Sequence, residues 1–358
     1  MTGARGAAVV DSVADCRLLY HSAVKDESAA ILLRARISSV GQRLGVTPLQ
    51  QENMNLVAGE IISNQLKHAK GCGIVQLWQQ PGPILDLFAL DYGPGIGDVT
   101  RAWQDGFSTT QTLGKGLGSI ARLSDESAVY ARRETFGPNK RWNGTAVFAR
   151  FRLRRTRERT PRTTPSLAES GLFSRSFSDG RYNGDRVYLH HHRDKLLWLH
   201  LDGLGHGEIA QNTTANLGAL LLHGASPEQT LAAVDQQLHG LRGAVAIMGE
   251  IGLAAKTVQI AGVGDMCAKV FENGALHTLS FSPGVLGREH KAMTHFRFDI
   301  GDQCLAVTAS DGIRRNWDES SFPGLFSHSP QLIAYMLGNI MGRSLDDQSV
   351  CVVRANNP

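Results

Sequence analysis

The sequence reads Asp91-Tyr92-Gly93-Pro94-Gly95-Ile96-Gly97 directly after an apolar, strand-like run, Ile84–Leu90. An acidic side chain at a strand end can hydrogen-bond the edge of a nucleotide base, while the glycines that follow let the backbone close on the ligand. Taken alone, the same stretch also fits an ordinary turn stabilised by the Asp91 carboxylate. Other motifs in the sequence are therefore needed to distinguish a ligand site from a turn.

A long helix is predicted over Pro48–Ala69, with Thr47 as its N-cap and Pro48 at the first helical position. Glu60 and Asn64 are four residues apart, so both lie on one side of this helix. A carboxylate there can accept a proton, and an amide oxygen one turn later can hold a hard cation. For the pair alone, an ordinary solvated helix face is an equally open interpretation.

A second glycine-rich stretch, Gly114-Lys115-Gly116-Leu117-Gly118, precedes a helix predicted near Ser119–Ser124. Exposed backbone amides at such a helix N-terminus form a cradle for phosphate. The stretch lacks the ending of a P-loop, and its glycines come too late in the domain for a dinucleotide-binding fold. Lys115 is placed either to reach a phosphate oxygen or to be an ordinary surface lysine.

In order and spacing, these three stretches and a late Gly144-Thr145 pair resemble the ATP-binding boxes of the GHKL superfamily. Within that superfamily the sequence is most similar to the small serine kinases of the RsbT type, over about residues 15–153. The resemblance implies an N-terminal α/β sandwich of the Bergerat type that binds Mg-ATP. No phosphoacceptor-histidine helix precedes the boxes, which disfavours a histidine kinase.

The same resemblance implies a role for each matching residue. Glu60 would activate the serine or threonine hydroxyl that receives the γ-phosphate, Asn64 would ligate Mg²⁺, and Asp91 would bind the adenine amino group. The other cofactor-binding positions that it implies are Gly93, Gly95, Gly114, Lys115, Gly116, Gly118 and Thr145. Catalysis would then consist mostly of positioning and charge neutralisation.

A basic stretch rich in Pro, Ser and Thr follows and predicts a domain boundary. Between Arg150 and Arg162 there are seven Arg and one Glu, whereas the whole chain has a formal net charge of +4. The rest of the chain is therefore net negative, and a basic face for nucleic acid is not expected. We interpret the stretch as a solvated linker rather than a polyanion-binding arm. The predicted domains are residues 1–154 and 175–358, joined by a linker over residues 155–174.

In the second half, acidic residues stand at the ends of predicted strands. The four positions are Asp185 before Val187–His190, Asp202 after Leu196–Leu201, Asp311 after Cys304–Ala309, and Asp346 before Ser349–Arg354. Any single Asp-Gly pair among them is typical of a hairpin turn. Four carboxylates that converge would repel one another unless cations neutralised them, and oxygen ligands suit Mg²⁺ or Mn²⁺.

With Ala261-Gly262-Val263-Gly264-Asp265 between them, these stretches occur in the order found in PPM-type serine/threonine phosphatases of the SpoIIE/RsbX branch. Residues 175–356 resemble that branch. The resemblance implies a C-terminal αββα sandwich, and an α+β chain overall, with two Mn²⁺ or Mg²⁺ ions at one edge of the sheets. The metal ligands that it implies are Asp185, Asp202, the Gly203 carbonyl, Asp311 and Asp346, with Asp347 as a weaker candidate.

Several other residues are weaker candidates for a metal or substrate site. Neighbours on a strand point to alternate faces, so His190-His191-His192 is not expected to converge on a metal. His206 is expected to steady the loop after Asp202 or to meet substrate. Asp265 is expected to stabilise a turn.

The cysteines and the apolar runs of the sequence predict the cellular compartment. The five cysteines are far apart and include no C-x-x-C pair, which predicts a reducing compartment. No apolar run is long enough for a membrane span, and residues 1–19 lack a signal-peptide core. We therefore expect a cytoplasmic protein without a membrane or nucleic-acid partner.

Together, the two resemblances predict a bifunctional partner-switching protein, in which an ATP-dependent serine/threonine kinase is fused to a metal-dependent phosphoserine/phosphothreonine phosphatase. They imply STAS-domain antagonist proteins as substrates and allow a sigma factor or a second phosphatase as a further partner. Two alternatives stay open: a nucleotide-responsive binding switch with little turnover, and a chain in which only the phosphatase domain is catalytic.

Overall fold

The computed structural model describes residues 16–99, 116–133, 142–153, 168–301 and 303–356. The chain forms two compact units. Among the described residues, the first is built from 16–99, 116–133, 142–153 and 316–340, and the second from 168–301, 303–315 and 341–356. Residues 316–340 fall within the predicted second domain, but in the structure they group with the first unit.

The elements are numbered along the chain. The first eight are β1 (Arg17–Val24), α1 (Ser28–Leu44), α2 (Pro48–Ala69), β2 (Gly73–Gln80), β3 (Ile84–Asp91), α3 (Gly116–Leu123), β4 (Glu126–Arg132) and β5 (Gly144–Arg152). The next eight are β6 (Ala168–Arg175), β7 (Asp185–His192), β8 (Lys195–Gly203), α4 (Glu208–Thr214), α5 (Pro227–Leu238), β9 (Ala244–Gly252), β10 (Thr257–Val263) and β11 (Cys267–Glu272). The last five are β12 (Ala275–Leu279), β13 (Thr294–Asp299), β14 (Gln303–Ala309), α6 (Pro330–Met341) and β15 (Gln348–Asn356).

The first unit is an antiparallel five-stranded sheet in the order β1-β2-β3-β5-β4, with helices on one face. Helix α2 has the predicted bounds, because the Thr47 hydroxyl accepts a hydrogen bond from the Gln50 backbone N–H at 3.3 Å and Pro48 follows it. Its Met54, Val57 and Ile61 are buried in the core with residues from α1 and the sheet. This packing therefore fixes the positions of Glu60 and Asn64, which lie on the same helix, relative to the sheet.

The second unit contains two antiparallel five-stranded sheets. Their orders are β13-β10-β9-β8-β7 and β12-β11-β14-β15-β6. Strand β6 pairs with β15, from Ala168 opposite Ala355 to Arg175 opposite Gln348. The predicted linker over residues 155–174 is therefore wrong in its second part, because Leu172 and Phe173 bury themselves in this unit.

The coarse prediction of a mixed α and β protein is confirmed. Helix α1 ends at Leu44 and is capped by Gly45, whose left-handed φ of 70° suits glycine. Among the described helices, none is both long enough and apolar enough to cross a bilayer.

Gly249 in β9 is a closely packed position of the second unit. A methyl group at this position would lie 2.0 Å from Cζ2 of Trp198 in β8, which is fully buried. Gly252, on the same strand, has no neighbour nearer than 3.6 Å to the corresponding point. Alanine substitutions at Gly249 and Gly252 therefore make the same change to the backbone of β9, but only the one at Gly249 disturbs the packing.

Gly249→Ala is expected to lower the free energy of unfolding by about 1–3 kcal/mol, because the Trp198 indole cannot move out of a full core. The matched variant Gly252→Ala is expected to change it by less than about 0.5 kcal/mol. Denaturant unfolding of the full chain, followed by tryptophan fluorescence, measures both. Equal losses in the two variants would contradict this account of the packing.

Candidate functional site

Asp91 is the last residue of β3 and is held as a fixed acceptor. Its Oδ1 accepts hydrogen bonds from the backbone N–H groups of Gly93 (2.8 Å) and Thr145 (3.0 Å). Its carbonyl oxygen accepts one from the Trp142 indole at 2.9 Å. Burial raises the pKa of the Asp91 carboxyl, and the two backbone N–H groups act against that rise. The side chain is thus orientated before any ligand arrives.

Strand pairing explains why residues so far apart in sequence meet here. Strand β5 runs antiparallel to β3, which brings Gly144-Thr145 beside Asp91. Gly144 has a φ of 141°, and a methyl group on it would lie 2.0 Å from the Asp91 carbonyl oxygen. Gly95 has a φ of 71°, and a methyl group there would lie 2.3 Å from the Arg132 carbonyl oxygen. Glycine is required at both positions by backbone conformation and by space.

Glu60 and Asn64, both partly buried on α2, face the start of α3. The position of a methyl group on Gly116 lies 3.1 Å from Glu60 Oε1 and 3.7 Å from Asn64 Nδ2. Gly116 is the first residue of α3, so its backbone N–H is one that the helix itself leaves unsatisfied. A carboxylate, an amide and a helix N-terminus therefore stand together.

The structure brings together the predicted residues Glu60, Asn64 and Gly116. Gly118 is buried within α3. Gly114 and Lys115 lie outside the described residues. On the Asp91 side, sequence reasoning missed Trp142 and Asn143, whose side chains donate to the Asp91 carbonyl and to the Gly93 carbonyl, each at 2.9 Å. They carry no motif of their own, and only their place before Gly144-Thr145 could have drawn attention to them.

A second cluster lies where strands of the second unit end. Asp185 opens β7 and is paired directly with Asp202, near the end of β8. The backbone N–H of Asp311, just after β14, donates to Asp202 Oδ2 at 3.5 Å. The Gly203 backbone N–H donates to the Gly184 carbonyl at 3.3 Å. Three strand ends thus bring three of the predicted aspartates together.

Electrostatics give a second measure of this convergence. Burial raises the pKa of Asp202, and the carboxylates of Asp185, Asp311 and Asp346 raise it further. Burial also raises the pKa of Asp185, although hydroxyl hydrogen bonds partly oppose the rise. The Asp346 carboxylate therefore acts on Asp202 in the same direction as Asp185 and Asp311 do.

Asp347 has a different task from Asp346. Its two carboxylate oxygens accept backbone N–H bonds at 2.7 Å, Oδ1 from Phe177 and Oδ2 from Gly184. Gly184 directly precedes Asp185, so the Asp347 carboxylate fixes the backbone that carries a cluster residue. Its own backbone N–H donates to Asp346 Oδ1 at 2.9 Å.

A buried hydrogen-bond chain, which sequence reasoning missed, supports Asp185. The Ser349 hydroxyl donates to Asp185 Oδ2 at 2.7 Å and lies 2.7 Å from His200 Nε2. The other ring nitrogen of His200 is 2.9 Å from the Thr308 hydroxyl. Burial lowers the pKa of His200 to about 3, so the imidazole is neutral at physiological pH. The polar residue between leucines in Leu199-His200-Leu201 was the available signal.

The remaining candidates follow their expectations in part. His190 is buried and His191 is exposed, as alternation along β7 requires. The His206 ring lies 5.1 Å from the Phe177 ring. Asp265 forms an ion pair with Arg315 at 3.5 Å and raises the pKa of Asp311, which places it nearer the cluster than a simple turn residue.

What the second cluster can do chemically follows from its charge. Among the described His, Cys, Asp and Glu side chains, no group of three or more is arranged so that it could hold a metal ion. Yet the clustered carboxylates raise one another's pKa, so a divalent cation would relieve the repulsion. Carboxylate and carbonyl oxygens are the donor set of Mg²⁺ and Mn²⁺. The residues present therefore fit hard divalent cations.

Comparison with known proteins adds a relationship for part of the chain. No family model matches it. Two solved structures are distantly similar. For RsbX in complex with magnesium the TM-score is 0.47, at 17% identity over 52% of this chain and 94% of RsbX. For the PP2C phosphatase domain of SpoIIE from Bacillus subtilis with a fragment of its regulatory domain, the TM-score is 0.45, at 15% identity over 91% of this chain and 95% of that one.

A sequence relative is closer. Over 90 residues the chain is 37% identical to the serine/threonine-protein kinase RsbT of Bacillus subtilis, a match that covers 25% of this chain and 68% of RsbT. Through these residues, the chain belongs to the RsbT family of serine/threonine-protein kinases.

Proposed function

We propose that this protein is a bifunctional partner-switching regulator, with a protein serine/threonine kinase site in its first unit and a protein phosphatase site in its second. The observation that carries the proposal is that each unit gathers, from distant parts of the sequence, the groups that phosphate chemistry needs. One site combines a base, an amide and a helix N-terminus. The other combines four carboxylates.

In the first unit the proposed ligand is Mg-ATP, held in a Bergerat-type fold. The Asp91 carboxylate accepts a hydrogen bond from the adenine amino group, while its Oδ1 stays bonded to Gly93 and Thr145. The N-terminus of α3 meets the phosphates, and Asn64 holds Mg²⁺. Gly114 and Lys115 are proposed to complete the phosphate cradle.

Glu60 is the proposed base. It lies beside the first residue of α3, where the phosphate chain would end. From there its carboxylate can accept the proton of a serine or threonine hydroxyl as the γ-phosphate is transferred. The bond between the β,γ-bridging oxygen and the γ-phosphorus breaks, the hydroxyl oxygen bonds to that phosphorus, and ADP leaves.

In the second unit the proposed substrate is a phosphoserine or phosphothreonine protein. Asp185, Asp202, the Gly203 carbonyl, Asp311 and Asp346 would hold two Mn²⁺ or Mg²⁺ ions. When bound, these ions lower the pKa of a water and neutralise the phosphoryl group. Asp347 and Ser349 orient this cage through their hydrogen bonds to Gly184 and Asp185.

The substrates that we propose are STAS-domain antagonist proteins, because the RsbT relationship points to that signalling context. Kinase and phosphatase acting together on one residue would only consume ATP. The two sites therefore either act on different proteins or are controlled reciprocally.

A second candidate function for the first unit is binding without turnover. Four large apolar side chains on α1 and α2 are exposed by half or more: Ile31, Leu32, Leu49 and Leu56. Apolar side chains exposed to this extent are available to a protein partner. In that case the first unit would capture a sigma factor or a phosphatase, with ATP as a conformational ligand.

Glu60→Gln is expected to lower the rate of phosphoryl transfer by about 10²–10⁴-fold, because it removes the proton acceptor and keeps the size of the side chain. The assay uses the full chain, radiolabelled ATP and candidate STAS proteins. The matched control is Glu52→Gln on the same helix, whose side chain is exposed. Transfer by Glu60→Gln at the wild-type rate would refute the kinase assignment, and partner capture that persists without any transfer would favour the binding switch.

Asp202→Asn is expected to abolish Mn²⁺-dependent release of phosphate from a phosphoserine peptide, because Asp202 faces three other carboxylates. Ser349→Ala is expected to raise the Mn²⁺ concentration for half-maximal activity by about 10–100-fold, because Asp185 loses its orienting donor. Asp194→Asn, an exposed position in the turn after β7, is the matched control. Activity that survives in Asp202→Asn, or that needs no divalent cation, would refute the phosphatase assignment.

A further inference from the structure

Helix α6 carries a regular polar stripe. Gln331, Tyr335 and Asn339 are four residues apart and so lie on one face, whereas most of the other residues are apolar. From Pro330 to Leu337 every residue is buried. Polar groups that are buried this deeply need hydrogen-bond partners, so the stripe marks a specific docking face.

The partners are on the face of the first unit's sheet opposite to α1 and α2. Residues of β2, β3 and β5 alternate between the two faces, and those away from the helical core are nevertheless buried. They are Gln76, Trp78, Gln80, Asp86, Phe88, Phe148 and Arg150. A sheet face with a buried ion pair and three aromatic rings is built to receive a partner rather than water.

The centre of the contact is the Asp86–Arg150 ion pair. Arg150 donates from Nε and Nη2 to the two carboxylate oxygens of Asp86, each at 2.8 Å. The Tyr335 hydroxyl donates to Asp86 Oδ2 at 2.9 Å and accepts from Gln80 Nε2 at 2.7 Å. Arg150 Nη2 also donates to Gln331 Oε1 at 2.9 Å. The helix therefore supplies hydrogen-bond partners to both members of the pair.

The third polar residue of the stripe extends the contact. Gln76 Nε2 donates to Asn339 Oδ1 at 2.8 Å, and Gln76 Oε1 accepts from the Trp78 indole at 2.9 Å. The Tyr335 ring lies 5.0 Å from the Phe88 ring and 5.4 Å from the Trp78 ring. A one-residue shift of the helix would break the hydrogen bonds of Gln331, Tyr335 and Asn339 to the sheet, so the network fixes its register.

The strands under this network also carry the nucleotide site. Strand β3 carries Asp86 and ends in Asp91, and strand β5 begins at Gly144-Thr145 and carries Arg150. The same two strands therefore bear the proposed adenine ligand at one end and the ion pair further along. A change in their twist or spacing on nucleotide binding reaches the helix contacts directly.

The segment that contains α6 joins the two halves of the carboxylate cluster. Asp311 stands five residues before Asn316, and Asp346 six residues after Ile340. The two ends of the segment are fastened together by backbone bonds, from Arg314 N–H to the Met341 carbonyl at 2.8 Å and from Arg343 N–H to the Gly312 carbonyl at 2.7 Å. Both aspartate loops are therefore attached to the two ends of this segment.

We propose that residues 316–340 are a coupling element, docked on the sheet of the nucleotide unit, through which occupancy of the nucleotide site changes the activity of the carboxylate site. This inference rests on the proposed function and names the means of reciprocal control. Coupling between two sites is reciprocal in binding free energy, so phosphatase ligands also alter nucleotide affinity.

The test compares Tyr335→Phe with the wild type in the full chain. The variant keeps the ring and removes the donor to Asp86. The matched control is Tyr20→Phe, because the Tyr20 hydroxyl is buried without a hydrogen-bond partner among the described residues. The Mn²⁺-dependent rate on a phosphoserine peptide is measured with and without saturating Mg-ADP, and the dissociation constant of Mg-ADP is measured separately. Hydrogen exchange of residues 330–347 is followed with and without Mg-ADP.

Mg-ADP is expected to change the wild-type rate by about fivefold or more. Tyr20→Phe is expected to keep this ratio of the rates with and without Mg-ADP. In Tyr335→Phe the ratio is expected to be close to one although Mg-ADP still binds. An unchanged ratio in Tyr335→Phe, or a ratio of one in the wild type, would overturn the coupling. If the wild type releases no phosphate, the phosphatase assignment fails by itself. The hydrogen-exchange measurement then decides. If the exchange rates of residues 341–347 do not change when Mg-ADP is added, the inference is overturned. If they change in the wild type but not in Tyr335→Phe, the inference is supported.

Discussion

Repulsion between like charges is the constraint on which the second unit depends. The register of β7 and β8 sets Asp185 opposite Asp202, and the end of β14 adds Asp311. These carboxylates cannot separate without breaking strand pairs, and Ser349 and the Asp311 backbone N–H hold two of them in place. The fold therefore maintains an unfavourable concentration of negative charge, which only protons or cations can relieve. That requirement links the sheet topology to metal chemistry.

The first unit treats a buried carboxylate differently. At Asp91 it buries a carboxylate and satisfies it with backbone N–H groups from Gly93 and Thr145. A carboxylate held this way is an orientated hydrogen-bond acceptor rather than a cation trap. The unit also places the Glu60 carboxylate beside the N-terminus of α3, where phosphate is favoured. The two units thus use the same side-chain chemistry for different ends, recognition in one and charge concentration in the other.

Local sequence patterns predicted the elements that carry these groups. Helix α2 could be predicted with its bounds because Thr47 and Pro48 mark its start and its apolar spacing persists to Ala69. The Asp-Gly positions at strand ends could be predicted for the same reason, since a turn residue after an apolar run is a local signal. The positions of Asp91 and Asp185 at strand termini follow from such signals alone.

The partners of those groups could not be predicted, because they depend on which strands pair. His200 stands out locally as a polar residue between leucines, but nothing in its neighbourhood or in that of Ser349 indicates that they support Asp185 across two sheets. The apolar pattern of α6 predicts burial but not the sheet that covers it. Its assignment to the first unit follows from the ion pair of Asp86 and Arg150, two residues that are far apart in sequence.

Anomalous diffraction from crystals of the full chain soaked in Mn²⁺ tests the central claim most directly. The account predicts peaks within ligating distance of Asp202, with Asp185, Asp311 or Asp346 drawn towards the same ions, and their loss in crystals of Asp202→Asn. Saturating Mn²⁺ that leaves this cluster empty, or that binds only at unrelated surface carboxylates, would contradict it.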